Sequence, residues 1–269
     1  MSIRRKEKYG TSFWGSLMIQ KRVLKALLMR EVITRYGRHN VGFLWLFIEP
    51  MLFTIGVTAL WTLSRASHGS NLPIAAFAVT GYSSVLLWRN MPGRLVGAVE
   101  SNFTLMYHRQ VKIIDVYLSR VILEFSGATA SFITLSIIFS SLGWMSMPED
   151  VLKVIEGWLL LTWFGVALAF VVGALSERTE VVDKIWHPFS YILFPLSGSG
   201  FMVDWLPTSV QSFVLYLPMV HGIEYLREGY FGSAVKAHYD LQYMIIVCLC
   251  LTLFGLIQVR IVSRQVKPA

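Results

Sequence analysis

Two carboxylates, Glu49 and Glu124, stand inside long apolar runs of this sequence, in company with Arg89, Arg94 and Arg120. An ionisable side chain in such a run is costly to bury, so it marks either a polar path or an internal pairing. Arg120 and Glu124 are spaced i, i+4, which lets them neutralise each other on one helical face. Glu49 is followed by Pro50, which lacks a backbone donor, so a bend with a polar hinge is expected there; if the apolar segment instead starts after Pro50, Glu49 sits among lipid headgroups. Other chemistries lack their residues. There is no G-x-x-x-x-G-K-[ST] loop to cradle a nucleotide and no H-E-x-x-H, and His39, His68, His108, His187, His221 and His238 are scattered, so neither an ATPase nor a metal centre is written in this chain. Ser199 lies in LSGSG rather than G-x-S-x-G, and small residues in a bent helix more commonly serve close packing. Cys248 and Cys250 are two positions apart. On a helix they point about 200° apart, and they form no disulfide framework.

The elements that position these residues are membrane helices. Hydrophobic residues make up 55% of the 269 and charged ones only 15%, far from soluble norms. Residues 1–40 form a basic arm with Arg4, Arg5, Lys6, Lys8, Lys21, Arg22, Lys25, Arg30, Arg35 and Arg38 against Glu7 and Glu31. The apolar positions between Leu17 and Tyr36 predict an amphipathic interfacial helix on anionic headgroups. Residues 41–269 read as a transmembrane domain with spans at about 41–63, 73–99, 116–142, 157–175, 185–203 and 241–261. The second span is expected to break near Pro92 and Gly93, and the fifth to bend at Pro188 and Pro195. Between the fifth and sixth spans, Asp204 to Asp240 holds an apolar run too short to cross, which predicts re-entrant outer helices. In this arrangement the outer loops carry only Arg65, Lys153, Arg227 and Lys236, so both termini are expected in the cytoplasm and the positive charge reads as topology rather than nucleic-acid binding. The fold class is thus an all-α integral membrane protein with six transmembrane helices.

Three stretches then carry a likeness. REVITRYGRHNVGFLWLFIEP, Arg30 to Pro50, resembles the first-span motif of ABC-2 type permeases that export polysaccharides; QVKIIDVYLSR, Gln110 to Arg120, resembles their cytoplasmic loop; and PMVHGIEYLREGYFG, Pro218 to Gly232, resembles the outer segment of capsule-export members of the KpsM type. The resemblance implies a permease subunit in the bacterial inner membrane that is not itself an enzyme. It implies a homodimer with a channel between subunits, driven by two copies of a separate ATP-binding subunit that holds ATP and Mg. The implied substrate is a lipid-linked, anionic capsular polysaccharide, with periplasmic and outer-membrane export proteins as further partners and no cofactor in this chain. Under that resemblance Arg38, Trp45, Glu49, Tyr82, Trp88, Arg89 and Arg94 are candidates for the substrate path. Tyr107, Arg109, Lys112 and Asp115 are candidates for the ATPase contact, and Glu224, Arg227 and Tyr230 for the outer exit. Export of O-antigen or teichoic acid is an alternative within the class. A membrane enzyme acting on lipid-linked sugars would need clustered carboxylates that the spans lack.

Overall fold

A computed structural model describes residues 13–37, 40–63, 72–106 and 111–265. They form α-helices α1 (Phe13–Tyr36), α2 (Asn40–Leu63), α3 (Ile74–Leu95), α4 (Phe103–Met106), α5 (Ile113–Ser141), α6 (Val151–Ser176), α7 (Glu180–Leu196), α8 (Thr208–Val214), α9 (Pro218–Phe231) and α10 (Leu241–Gln265). No strand occurs among the described residues. Four helices, α2, α5, α6 and α10, are long and apolar enough to cross a bilayer. α3 carries Thr80, Ser83, Ser84, Arg89, Asn90 and Arg94, and α7 is 17 residues long with Glu180, Asp183 and Lys184 near its start, so polarity and length keep these two outside that class.

α6 is the central element, packed against α3, α9 and α10. The reason is in its small residues. A Cβ on Gly157 would meet Leu226 of α9 at 2.8 Å, one on Gly165 would meet the Trp88 backbone of α3 at 2.9 Å, and one on Gly173 would meet Leu95 at 2.7 Å. In lipid, helices gain little from burying apolar side chains against one another, so close backbone approach and dispersion hold them together. α3 is the most thoroughly enclosed helix: every residue from Ala75 to Trp88 is buried. Its hydroxyls bond back to their own helix, Thr80 Oγ1 to the Ala76 carbonyl at 2.8 Å and Ser84 Oγ to the Thr80 carbonyl at 2.6 Å. Those internal bonds make the burial of the hydroxyls tolerable.

Several expectations shift. α2 runs unbroken through Pro50, and α3 runs through Pro92 to Leu95, where the break is a turn at positive-φ Gly97 rather than a kink within the helix. α7 passes Pro188 and stops just after Pro195, with Gly198 at φ +88 turning the chain. The short apolar run of the outer segment is divided into α8 and α9, because Pro218 starts a new helix at a position where its missing N–H costs nothing. The largest correction concerns Arg120 and Glu124, which pair not with each other but with other helices.

Gly81 of α3 lies directly against the Ser199 carbonyl and the Arg227 guanidinium, leaving no room for a Cβ. Gly81→Ala should therefore cost about 1–3 kcal/mol of stability through overpacking, read as a lower thermal midpoint of the detergent-purified chain. Gly56→Ala, with nothing within 4 Å, should leave the midpoint unchanged.

Candidate functional site

At the end of the bundle where α1 lies, four charged side chains make a zip. Glu31 and Arg35 of α1 are spaced i, i+4, as are Arg120 and Glu124 of α5, with the order of charge reversed. Laid side by side, the two pairs match. Arg120 Nε reaches Glu31 Oε1 at 2.9 Å, and Arg35 Nη1 reaches Glu124 Oε1 at 2.5 Å. Arg94 of α3 closes on the same Glu124 oxygen at 3.1 Å, and Arg120 also donates to the Arg94 carbonyl at 2.7 Å. Glu124 is only 9% exposed, so these are desolvated interactions, in which removing one partner strands the others. An exposed i, i+4 pair would give only about 0.3–0.5 kcal/mol, too little to compete with this arrangement. Two further bonds extend the zip: Arg30 donates to Asn102, and Gln20 Nε2 donates to Asp115 Oδ1 at 3.2 Å. α1, the turn before α4, α3 and α5 are thus tied together at this end.

Beside the zip, Leu46, Glu49, Asn90, Arg94 and Glu124 line a narrow cleft. From there a strip of rings climbs between α2, α3 and α7. The Arg89 guanidinium lies over the Tyr191 ring at 4.4 Å and near Phe194 at 5.6 Å. Phe194 touches Tyr82 and Phe53, Tyr82 meets Trp61 edge-on at 5.3 Å, and Trp61, Phe77 and Trp205 stack in sequence. Tyr191 is 67% exposed and Phe53 42%, whereas Tyr82 and Phe77 are buried behind them, so the strip is open only at its α2 and α7 rings. It ends at a cleft of about 280 Å³ lined by Leu72, Asp204, Trp205, Ser233 and Lys236. There His238 Nε2 lies 2.9 Å from Asp204 Oδ1 and Lys236 3.6 Å from it, and the His238 contact, reinforced by Lys236, holds the Asp204 carboxyl below the usual range.

The expected path residues fall into three groups. Tyr82 and Arg89 belong to the ring strip, and Glu49 and Arg94 to the narrow cleft. Trp45 is exposed on α2, whereas Trp88 is fully buried on the far side of α3, edge-on to Phe164 at 5.7 Å, and serves packing. Arg38, Tyr107 and Arg109 lie outside the described residues. Lys112 is exposed, but Asp115 is buried and caps α5 by accepting from the Lys112 N–H at 3.0 Å. Glu224, Arg227 and Tyr230 are all buried and organise the outer segment. Arg227 donates to the Gly198, Ser199 and Phe201 carbonyls at 2.6, 2.6 and 2.7 Å and lies 3.7 Å over Phe77, while Glu224 accepts from the Val203 and His238 N–H groups at 3.1 and 3.0 Å. Tyr230 donates to the Ser146 carbonyl, tying α9 to the α5–α6 loop. Sequence reasoning missed Glu31, Arg35, Asn102 and Phe194; for the first two, the reversed charge order of the two i, i+4 pairs was the available signal. Among the described residues no cluster of His, Cys, Asp and Glu could hold a metal ion.

Known proteins resemble this chain along nearly all of it. Residues 22–231 match the ABC-2 type transporter family. The chain is 45% identical over 263 residues, 98% of its length and 99% of the other's, to the capsule polysaccharide export inner-membrane protein CtrC of Neisseria meningitidis serogroup B. It is 41% identical, covering 97% and 99%, to the capsule polysaccharide export inner-membrane protein BexB of Haemophilus influenzae. It is 29% identical over 88% of its length and 92% of the other's to the polysialic acid transport protein KpsM of Escherichia coli.

Glu124→Gln should weaken the Arg35 and Arg94 contacts together and loosen the α1 end. The check is hydrogen–deuterium exchange, with faster exchange across α1 and no change in α9. Exchanging Glu31 and Arg120 for each other's residue should restore more protection than either single reversal.

Proposed function

The chain belongs to the ABC-2 type transporter family, and from that premise we propose that it is a permease subunit that exports capsular polysaccharide across the bacterial inner membrane. The observation that carries this reading is the near-full-length similarity to capsule polysaccharide export inner-membrane proteins, and the ring strip between two polar clefts, open at Tyr191 and Phe53, suits that cargo.

In this reading α2, α3, α5, α6, α7 and α10 are the six crossings, and α8 and α9 are the re-entrant outer helices. The arm and C-terminus are cytoplasmic, as the bias of Lys and Arg toward that side supports. Arg94 and Arg89 attract an anionic glycan at the inner mouth. The C–H faces of successive sugars then lie on Tyr191, Phe194 and Phe53, with the buried Tyr82 ring supporting them from behind, while hydroxyls face water in the lumen. Stacking of this kind is sequence-tolerant and repeated along the strip, so a polymer can advance by exchanging one ring for the next. A second copy of the chain closes the lumen, since the strip is open on one side; the exposed apolar faces of α2 and α7 support such pairing.

ATP and Mg belong to a separate subunit, because no phosphate loop is present in this sequence. That subunit meets α1 and the segment Phe103–Asp115. The zip makes the coupling mechanical: a push on α1 or on residues 100–102 reaches α5 through Arg120 and α3 through Arg94. α3 in turn supports the ring strip. Periplasmic export proteins would meet the outer cleft around Asp204 and Lys236.

Deleting the gene in its host should leave polymer inside the cell, detected by fractionation and lectin or antibody staining, with surface polymer restored by the wild-type chain. Arg89→Ala and Tyr191→Ala should restore surface polymer several-fold less well at equal membrane abundance. Absence of polymer everywhere would point to synthesis instead, and normal surface polymer in the deletion strain would remove the capsule assignment.

A further inference from the structure

α1 is held to α5 by one stripe only. Gln20, Leu27, Glu31 and Arg35 face the bundle, and at about 100° per residue they occupy roughly a quarter of the helix circumference. Along one edge of that stripe Leu17, Leu24 and Leu28 approach Ile122 of α5 without closing on it, leaving a groove of about 430 Å³. Lys21 and Lys25 form its outer lip and are exposed.

The depth of the groove says what solvent it meets. A hydrocarbon core takes about 20 helical residues, and that many counted back from Ser141, the last of α5, reach Ile122. Ile122 therefore lies where acyl chains give way to headgroups, with the lysines on the headgroup side. Trp14 lies on the same side of α1 as the two lysines and is 68% exposed. It suits the same level, where indole rings are enriched. An apolar trough at the acyl boundary with ammonium groups above it is complementary to one kind of molecule: a phospholipid with a net negative headgroup.

We propose that this groove is a binding site for an anionic phospholipid of the cytoplasmic leaflet. One acyl chain lies along Leu17, Leu24, Leu28 and Ile122, and the headgroup phosphate sits between Lys21 and Lys25. The lipid fills the wedge beside the zip and braces α1 against α5, so that movement of α1 is passed on rather than absorbed in the gap. The site rests on the topology proposed above, with α1 on the cytoplasmic side. It requires neither glycan nor ATP.

The full-length chain, with Leu24 replaced by a photoreactive phenylalanine analogue, would be reconstituted into vesicles of phosphatidylethanolamine alone or with one third phosphatidylglycerol, irradiated and analysed by mass spectrometry. Phosphatidylglycerol adducts should form well above their share of the lipid and fall about tenfold in Lys21→Glu/Lys25→Glu, while Lys236→Glu at the opposite end changes nothing. Adducts in proportion to lipid composition, adducts undiminished in the double variant, or adducts to a second polypeptide in place of lipid would overturn the site. Labelling of Lys21→Cys in intact cells with a membrane-impermeant thiol reagent checks the topology independently. Labelling from outside would sink the orientation, and with it the leaflet assigned here, whereas a failed export phenotype would leave the adduct result standing.

Discussion

A charge in a low-dielectric slab must be neutralised by its neighbours, and Glu124 is where this protein meets that constraint. Its single carboxylate accepts Arg35 and Arg94 from two other helices while Arg120, one turn away, takes Glu31. The same rule acts at the opposite end with a different answer. Arg227, fully buried, has no carboxylate within salt-bridge distance among the described residues and is held instead through its Nη groups by the carbonyls of the turn after α7 and by the face of Phe77, its Nε alone lacking a partner. A guanidinium presents five donors in a rigid fork and so can gather a turn whose carbonyls would otherwise be unsatisfied away from water. One end of the bundle is therefore held by matched ions and the other by a cation folded into backbone.

Between these two ends the packing is uneven. α3 and α6 approach so closely at Gly165 and Gly173 that they form a rigid slab. α2 and α7, by contrast, expose large apolar side chains along much of their length. The ring strip is shared between the two: Tyr82 and Phe77 are anchored on the slab, while Phe53, Trp61, Tyr191 and Phe194 belong to the peripheral helices. The zip lies at the foot of α3, where α1 is joined to the bundle by salt bridges.

Much of the fold was legible because the membrane imposes simple rules on sequence. Length of apolar run and clustering of Lys and Arg place the long helices, since lipid tolerates only internally bonded backbone; the division of the outer segment at Pro218 came with the structure. The absence of a nucleotide loop and the three family-like stretches were equally plain in one dimension, and the family assignment followed. The ends of helices were less legible. α6 begins at Val151, six residues before the apolar run, because the Asp150 side chain caps it by accepting from the Lys153 N–H.

What only the tertiary structure decided is which polar residue faces which. Arg120 and Glu124 stand at the spacing for pairing with each other, yet α1 and α3 bring Glu31, Arg35 and Arg94 within reach, and once such charges are buried leaving one without a partner is costly. Tyr82 and Trp88 stand on one helix with equal claims as aromatic residues, and only the position of α6 assigns Trp88 to the core and Tyr82 to the strip. Glu224, Arg227 and Tyr230 look from sequence like an exposed polar face, but α9 turns them inward because Gly229 and Gly222 let it lie against α6 and α10. The sequence by itself determined the solvent and the family, since these depend on composition along the chain, whereas of its six expected spans four helices are long and apolar enough to cross. The direction each side chain faces depends on contacts such as that between Arg35 and Glu124, 89 positions apart, and no local pattern encodes those.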